Sequence, residues 1–335
     1  MKNSFLKLLL LCPLLWTITC SAQSSNLYAL EKSISIPGDG GYDYLYIDEV
    51  NRHLYISHGS SVNVIDLKTE KIIGSIDNMQ GVHGIAVDNE VNKGFISDGR
   101  GNSVVVFDLG SLKTIKVVPV TPKGPDGIMF DPFTKRIFVF CGHGNAASVV
   151  DVNELKEIGT IDLGGGPEFA APNGKGLIYN NLEDKNSLNV IDAVKLKVIN
   201  NYPLSPCGGP TGLALDLKNQ LVFTACRENK GMTVLDIKTG KVMTTLPIGA
   251  GVDAVVYDES TKLIFCSNGD STTTIIRQKS ENEYSVVQTL YTQVRAKTMA
   301  LDKVTHKLYL SVAKFEPGTR NIVPGTFSVL VYKMN

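Results

Sequence analysis

An excess of charge of one sign is what this chain most plainly lacks. Its 33 Lys and Arg are matched by 33 Asp and Glu, so the formal net charge is zero. That excludes a broad electrostatic grip on nucleic acid or on an anionic membrane surface. Tryptophan is nearly absent as well: Trp16 is the only one, and it lies in the N-terminal leader. Single-stranded nucleic acid would also want basic residues interleaved with stacking aromatics. Tyr42, Tyr44 and Phe315 are candidates, but acidic residues crowd the same region.

Several chemistries are missing their signatures. No Cys-x-x-Cys-His is present, so covalent haem attachment is not indicated. No Gly-x-Ser-x-Gly elbow and no phosphate-cradling Gly-x4-Gly-Lys loop occur. The five His are scattered without tetrahedral zinc spacing. No amphipathic helical stretch of useful length competes with the strand pattern. After the leader there is no run of about 18 apolar residues, so no membrane-spanning helix is expected.

The first residues read as a secretory signal over 1–22. Lys2 and Lys7 give a positive n-region, and Leu8 to Trp16 are mostly apolar with a break at Pro13. The small-residue site Cys20-Ser21-Ala22 then precedes Gln23. Cleavage after Ala22 would deliver a soluble periplasmic or extracellular protein. The alternative is a lipid anchor on Cys20, which would make it an outer-membrane lipoprotein. The triplet before Cys20, Thr17-Ile18-Thr19, resembles a lipobox poorly. Export permits disulfides. Cys141, Cys207, Cys226 and Cys266 read either as buried free thiols at strand positions or as holding at most one bridge; if a disulfide forms, the pair expected is Cys207 with Cys226. Cys207 enters the fifth repeat and Cys226 ends its second strand.

What is present is repetition. His83-Gly84-Ile85-Ala86-Val87-Asp88 is followed by a turn, then Phe95-Ile96-Ser97-Asp98, then Val104-Val105-Val106-Phe107-Asp108. The Asp that closes the first segment recurs as Asp48, Asp88, Asp131, Asn173, Asp216, Asp258 and Asp302, 40 to 44 residues apart. Period-2 alternation with β-branched residues marks strands. A period near 42 is the length of one four-stranded propeller blade. The expected fold is therefore all-β: a single seven-bladed propeller of four-stranded antiparallel blades over 23–335. Blade 7 carries an insertion, Lys314 to Gly325, and ends without a fourth strand. Lys32 to Ile36 is expected to supply that strand, close the ring and remove two exposed sheet edges.

The second segments Tyr55-Ile56-Ser57-His58, Phe95-Ile96-Ser97-Asp98, Phe265-Cys266-Ser267-Asn268 and Tyr309-Leu310-Ser311-Val312 carry a family resemblance. With the Val-x-Val-Ile-Asp segments that follow, the chain resembles the YVTN-type β-propeller repeat family, related to lactonase-like seven-bladed propellers. The literal Tyr-Val-Thr-Asn does not occur. The resemblance implies the same fold. It implies no single function, because that family mixes binding proteins, surface proteins and a minority of enzymes.

Topology suggests where a site would lie. In an antiparallel blade the start of strand one and the end of strand two share an end. One ring of residues there is Asp43, His83, Asp126, Glu168, Thr211, Asp253 and Lys297. A second is His58, Asp98, Cys141, Leu182, Cys226, Asn268 and Val312. The first ring is polar throughout yet changes type from blade to blade, whereas the closing Asp barely changes. Candidate ligand-binding residues are Asp43, His83, Asp98, Asp126, His143, Glu168, Arg227, Asp253, Asn268 and Lys297. Convergent carboxylates could hold Ca²⁺ through oxygen ligands, with Asp126, Glu168 and Asp253 as the expected set. His143 sits between Gly142 and Gly144 on a loop of the same face. Two functions remain open. One is an exported propeller that binds a small molecule or protein partner. The other is a metal-assisted lactonase-like or lyase-like enzyme, with His83 or His143 as base.

Overall fold

The computed structural model describes residues 26–335. The expected signal segment, its cleavage after Ala22 and the alternative anchor at Cys20 lie outside the described residues.

Seven four-stranded antiparallel sheets form the ring, and each is one blade. Blade 1 shows the pattern with strands Tyr42–Asp48, His53–His58, Ser61–Asp66 and Lys71–Ile76. The first strands of successive blades lie against one another around the centre, and that of blade 7 returns to that of blade 1. These first strands line the central channel. Among the described residues no helix is long and apolar enough to cross a membrane.

The recurring Asp is an architectural residue. Asp48 Oδ1 accepts hydrogen bonds from the Val50 and Asn51 backbone N–H groups at 3.0 and 3.2 Å. Asp88, Asp258 and Asp302 each take the N–H two residues on at 3.0 Å. Asn173 does the same in blade 4 with Lys175 N–H at 2.8 Å. The carboxylate thereby satisfies donors that the tight turn would leave unpaired.

The hydrophobic core is divided among the seams between blades. Phe95, Val104 and Val106 of blade 2, for example, pack with Ile137, Val139 and Val150 of blade 3. Every blade is thus stabilised by burial against two neighbours, and an open array would leave two apolar faces in water. The ring closes with Tyr28–Ser35, which pairs antiparallel with Ser328–Met334 of blade 7. Ile34 lies opposite Val329 and Ser33 opposite Leu330. The closing strand begins four residues earlier than the sequence pattern marks. Tyr28 explains the extension: its ring is fully buried against Phe265, and its hydroxyl donates to the His306 carbonyl at 2.8 Å.

Candidate functional site

The strand starts of the first ring are held by buried hydroxyl groups, three on second strands and one, Thr298, at the start of blade 7. Ser57 Oγ accepts from Asp43 N–H at 2.9 Å, and Ser97 Oγ accepts from Gly84 N–H at 2.8 Å. Ser97 also donates to the Asp126 carbonyl, and Ser267 donates to that of Lys297. Thr298 Oγ1 donates to the Asp43 carbonyl at 2.6 Å. Each hydroxyl joins neighbouring blades or neighbouring strands, so the ring residues start from fixed backbone positions.

The inner strands approach closely just past these starts. A Cβ on Gly212 would lie 2.4 Å from the Val255 backbone nitrogen, so no side chain fits there. Blades 1 and 4 instead place Tyr44 and Phe169 at the equivalent position. Their rings meet at 4.9 Å in the channel. Burial raises the Tyr44 hydroxyl well above its ordinary pKa, and the negative charges of Asp126, Asp43, Glu168 and Asp253 add to the effect. The tyrosine is therefore neutral and adjoins the carboxylates.

The ring divides into two groups. The first is Asp43, His83 and Asp126. His83 Nδ1 lies 2.7 Å from Asp43 Oδ2 and 3.5 Å from Asp126 Oδ1. Burial alone would lower the His83 pKa, but the hydrogen bond to Asp43 and the Asp126 charge outweigh it and the pKa rises. Asp126 is pushed up to about 6, mainly by burial and then by the Asp43 charge.

The second group is Glu168, Glu183, Arg227, Asp253 and Lys297. Arg227 bridges Glu183, at 2.6 Å, and the buried Asp253. Lys297 pairs with the other oxygen of Asp253. Glu168 is pushed up to about 9 by burial, then by the Glu183 charge, and it shares a hydrogen bond with Glu183. At neutral pH it is a protonated acid and a hydrogen-bond donor. Glu183 is absent from the candidates drawn from the sequence, although a signal for it exists. The residue after the second ring is Gly59, Gly99, Gly142, Gly269 or Ala313 in five blades, and Glu183 and Arg227 in the other two.

Asp126, Glu168 and Asp253 are not brought together as one chelating set. Asp253 already faces two cations, and Glu168 holds a proton and faces Glu183. The carboxylates with a shared ligand geometry are instead Asp43 and Asp126, with His83 between them.

The two rings do share an end of the blades, since Val82 pairs with Asp98 and Val252 with Asn268. The second ring nevertheless does not face the mouth. All of its members are buried. Asp98 accepts from Gly81 N–H at 2.8 Å and Gln80 N–H at 3.1 Å, which closes the loop into its blade. Asn268 donates to Thr272 and Thr274 hydroxyls at 2.9 and 3.1 Å. His58 packs on Phe327, with ring centres 4.2 Å apart. Asp98 and Asn268 are thus used in loop and strand architecture. Thr211, in the first ring, is also fully buried and donates to the Val252 carbonyl at 3.3 Å.

His143 stands on a single 3-10 turn, Gly142–Gly144. It lines a cleft of about 470 Å³ beside the mouth, with His83, Arg100, Lys123 and Asp126. The blade 7 insertion lines a separate cleft of about 800 Å³, which no first-ring residue enters. There Arg295 stacks on Phe315 at 4.0 Å. Cys207 and Cys226 are joined by a disulfide, while Cys141 and Cys266 are buried thiols.

No family model matches the chain, and no curated protein matches it by sequence. Solved structures share its fold. Hydrazine synthase from Kuenenia stuttgartiensis is 18% identical, with 88% of this chain and 96% of that chain covered at a TM-score of 0.73. A chain of the mitotic checkpoint complex is 13% identical, with 100% of this chain and 99% of that chain covered at a TM-score of 0.76. A β-propeller domain from Myceliophteria thermophila is 12% identical, with 92% and 100% covered at 0.72. At these identities the likeness establishes the seven-bladed architecture and carries no activity across.

Proposed function

We propose that this chain is an exported, YVTN-type binding propeller whose ligand, a polar small molecule or a protein partner, sits at the channel mouth. The observation that carries the reading is the Glu183–Arg227 pair. Those two charged side chains replace Gly or Ala of the other blades; with Glu168 of blade 4 they join Asp253 of blade 6, which Lys297 of blade 7 also pairs. Architecture does not call for them, because five blades close without them.

The group offers complementary chemistry. Protonated Glu168 and the Arg227 guanidinium donate hydrogen bonds, and Glu183 accepts them. A neutral or zwitterionic polar ligand suits this mixture better than a strongly charged one. Tyr44 and Phe169 give the floor an apolar face, as small-molecule sites commonly have. Membership of one solved relative in a multi-protein complex supports a protein partner as the larger form of the same ligand.

The test is a thermal-shift screen of the natively purified protein against polar metabolites and peptides. The stabilising ligands are then repeated on Glu183→Ala and Arg227→Ala. Stabilisation lost in both variants supports the mouth as the site. Ligands that stabilise wild type and both variants equally overturn it.

The enzymatic alternative is favoured by one observation, the contact of Asp126, with its raised pKa, and His83. The pair has the form of an acid and base matched near neutral pH. Hydrolysis of a lactone panel, abolished in His83→Ala, would establish it.

A further inference from the structure

We propose that Asp43, His83 and Asp126 form a site for one divalent transition-metal ion at the rim of the channel mouth. The inference deepens the mouth reading and rests on it. The three residues hold the same first-ring position in blades 1, 2 and 3, so their strand starts are immediate neighbours. Asp43 and Asp126 each offer one oxygen and His83 its Nδ1, and all three atoms lie within 4.8 Å of one another. Small side-chain rotations close that spread to the edges of a shell with bonds of about 2.0–2.2 Å.

Three further observations point to a cation there. Asp126 Oδ1 is sealed from solvent and has no hydrogen-bond partner; His83 Nδ1, at 3.5 Å, is too far to satisfy it. A buried carboxylate oxygen left without a partner is costly, and an ion would supply one. Next, among the described residues neither Asp43 nor Asp126 has a Lys or Arg within ion-pair distance, whereas Asp253 has both. The charge of the two aspartates is therefore available to a cation while that of Asp253 is used. Finally, the strands carrying the three residues are pinned by Thr298, Ser57 and Ser97. The donors are preorganised by groups that would not themselves touch the ion.

The donor set selects the class of ion. Calcium takes six to eight oxygen ligands, and an imidazole is a poor substitute for one of them. One imidazole with two carboxylates suits Zn²⁺, Mn²⁺ or Fe²⁺. The remaining coordination positions would open toward the 470 Å³ cleft lined by Arg100, Lys123 and His143. Arg100 and Lys123 form no ion pair among the described residues, so an anionic group bound to the ion would find counter-charges beside it.

The probes are Zn²⁺ and Mn²⁺, applied to the exported chain after chelator treatment. Calorimetry is expected to show saturable binding of one Zn²⁺ per chain, and Mn²⁺ is expected to compete with it. His83→Ala and Asp126→Asn should each weaken Zn²⁺ by more than about tenfold, since even the loss of an outer-shell partner costs that much. Lys156→Ala, which breaks an exposed pair with Glu154 outside the mouth, should leave the titration unchanged. Asp43→Asn replaces either variant that fails to melt cooperatively. Absence of one-equivalent binding, or losses below about tenfold in the folded variants, overturns the site. If the metal fails while polar ligands still lose their effect in Arg227→Ala and Glu183→Ala, only this inference falls. If those ligands ignore Arg227 and Glu183, the mouth reading falls instead.

Discussion

Arg227 Nη1 lies 2.6 Å from Glu183 Oε1 while its other terminal nitrogen meets Asp253. One guanidinium thus ties blade 5 to blades 4 and 6. Asp253 is buried, so its two cations offset the cost of removing a carboxylate from water.

Arg227→Ala should therefore destabilise the fold by about 1–3 kcal/mol, because it leaves Asp253 with Lys297 alone. Lys185→Ala breaks an exposed pair with Asp184 and should cost less than about 0.5 kcal/mol. Urea denaturation of the two variants checks the contrast. Equal losses would show that Arg227 is a surface pair like any other.

The protonated state of Glu168 makes stability depend on pH. Its pKa is about 9 in the folded chain against 4.5 for the free group, so the folded state holds a proton the unfolded state has lost. Its contribution is fully present below about 4.5 and is lost as pH rises through about 9. Wild type should therefore lose stability between pH 5 and 9, and Glu168→Gln should flatten that decline. Denaturation curves at a series of pH values decide it, and superimposable profiles would contradict the assignment.

The bridge between Cys207 and Cys226 spans 19 residues. Cys226→Ser should cost about 3 kcal/mol, the scale expected for closing a loop of this length. Unreduced intact mass should show the bridge. Cys141 and Cys266 should resist thiol reagents until the chain unfolds, because both are buried. Native labelling of either would place them elsewhere.

Ring closure can be tested by truncation. A chain beginning after Ser35 loses the strand that pairs with Ser328–Met334 and leaves that edge open. Size-exclusion chromatography should show aggregates and melting should lose cooperativity. A soluble, cooperatively melting monomer would mean that closure contributes little.

Much of this molecule is legible in its residues, for reasons that differ by position. The closing Asp recurs because each turn presents the same backbone donors, so Asp48, Asp88 and Asp302 do the same work in different blades. The alternating strands recur because every seam is the same kind of sheet-on-sheet contact. Position 83 also stood out, since His83 departs from its equivalents. Burial was harder to read. Asp98 and Asn268 depart from their equivalents just as visibly, yet each is consumed by hydrogen bonds within its own blade. Departure from a repeat marks an individual residue without telling whether it faces the channel.

The sequence by itself determined the seven-bladed ring and its closing strand, because these follow from periodicity and from pairing of the backbone. Only the tertiary structure decided which ring residues cooperate. Blade neighbours brought Asp43, His83 and Asp126 together, and Arg227 and Lys297 took Asp253 out of any metal set. Those groupings depend on side-chain reach across seams between residues 26 to 44 positions apart, which a one-dimensional repeat does not encode.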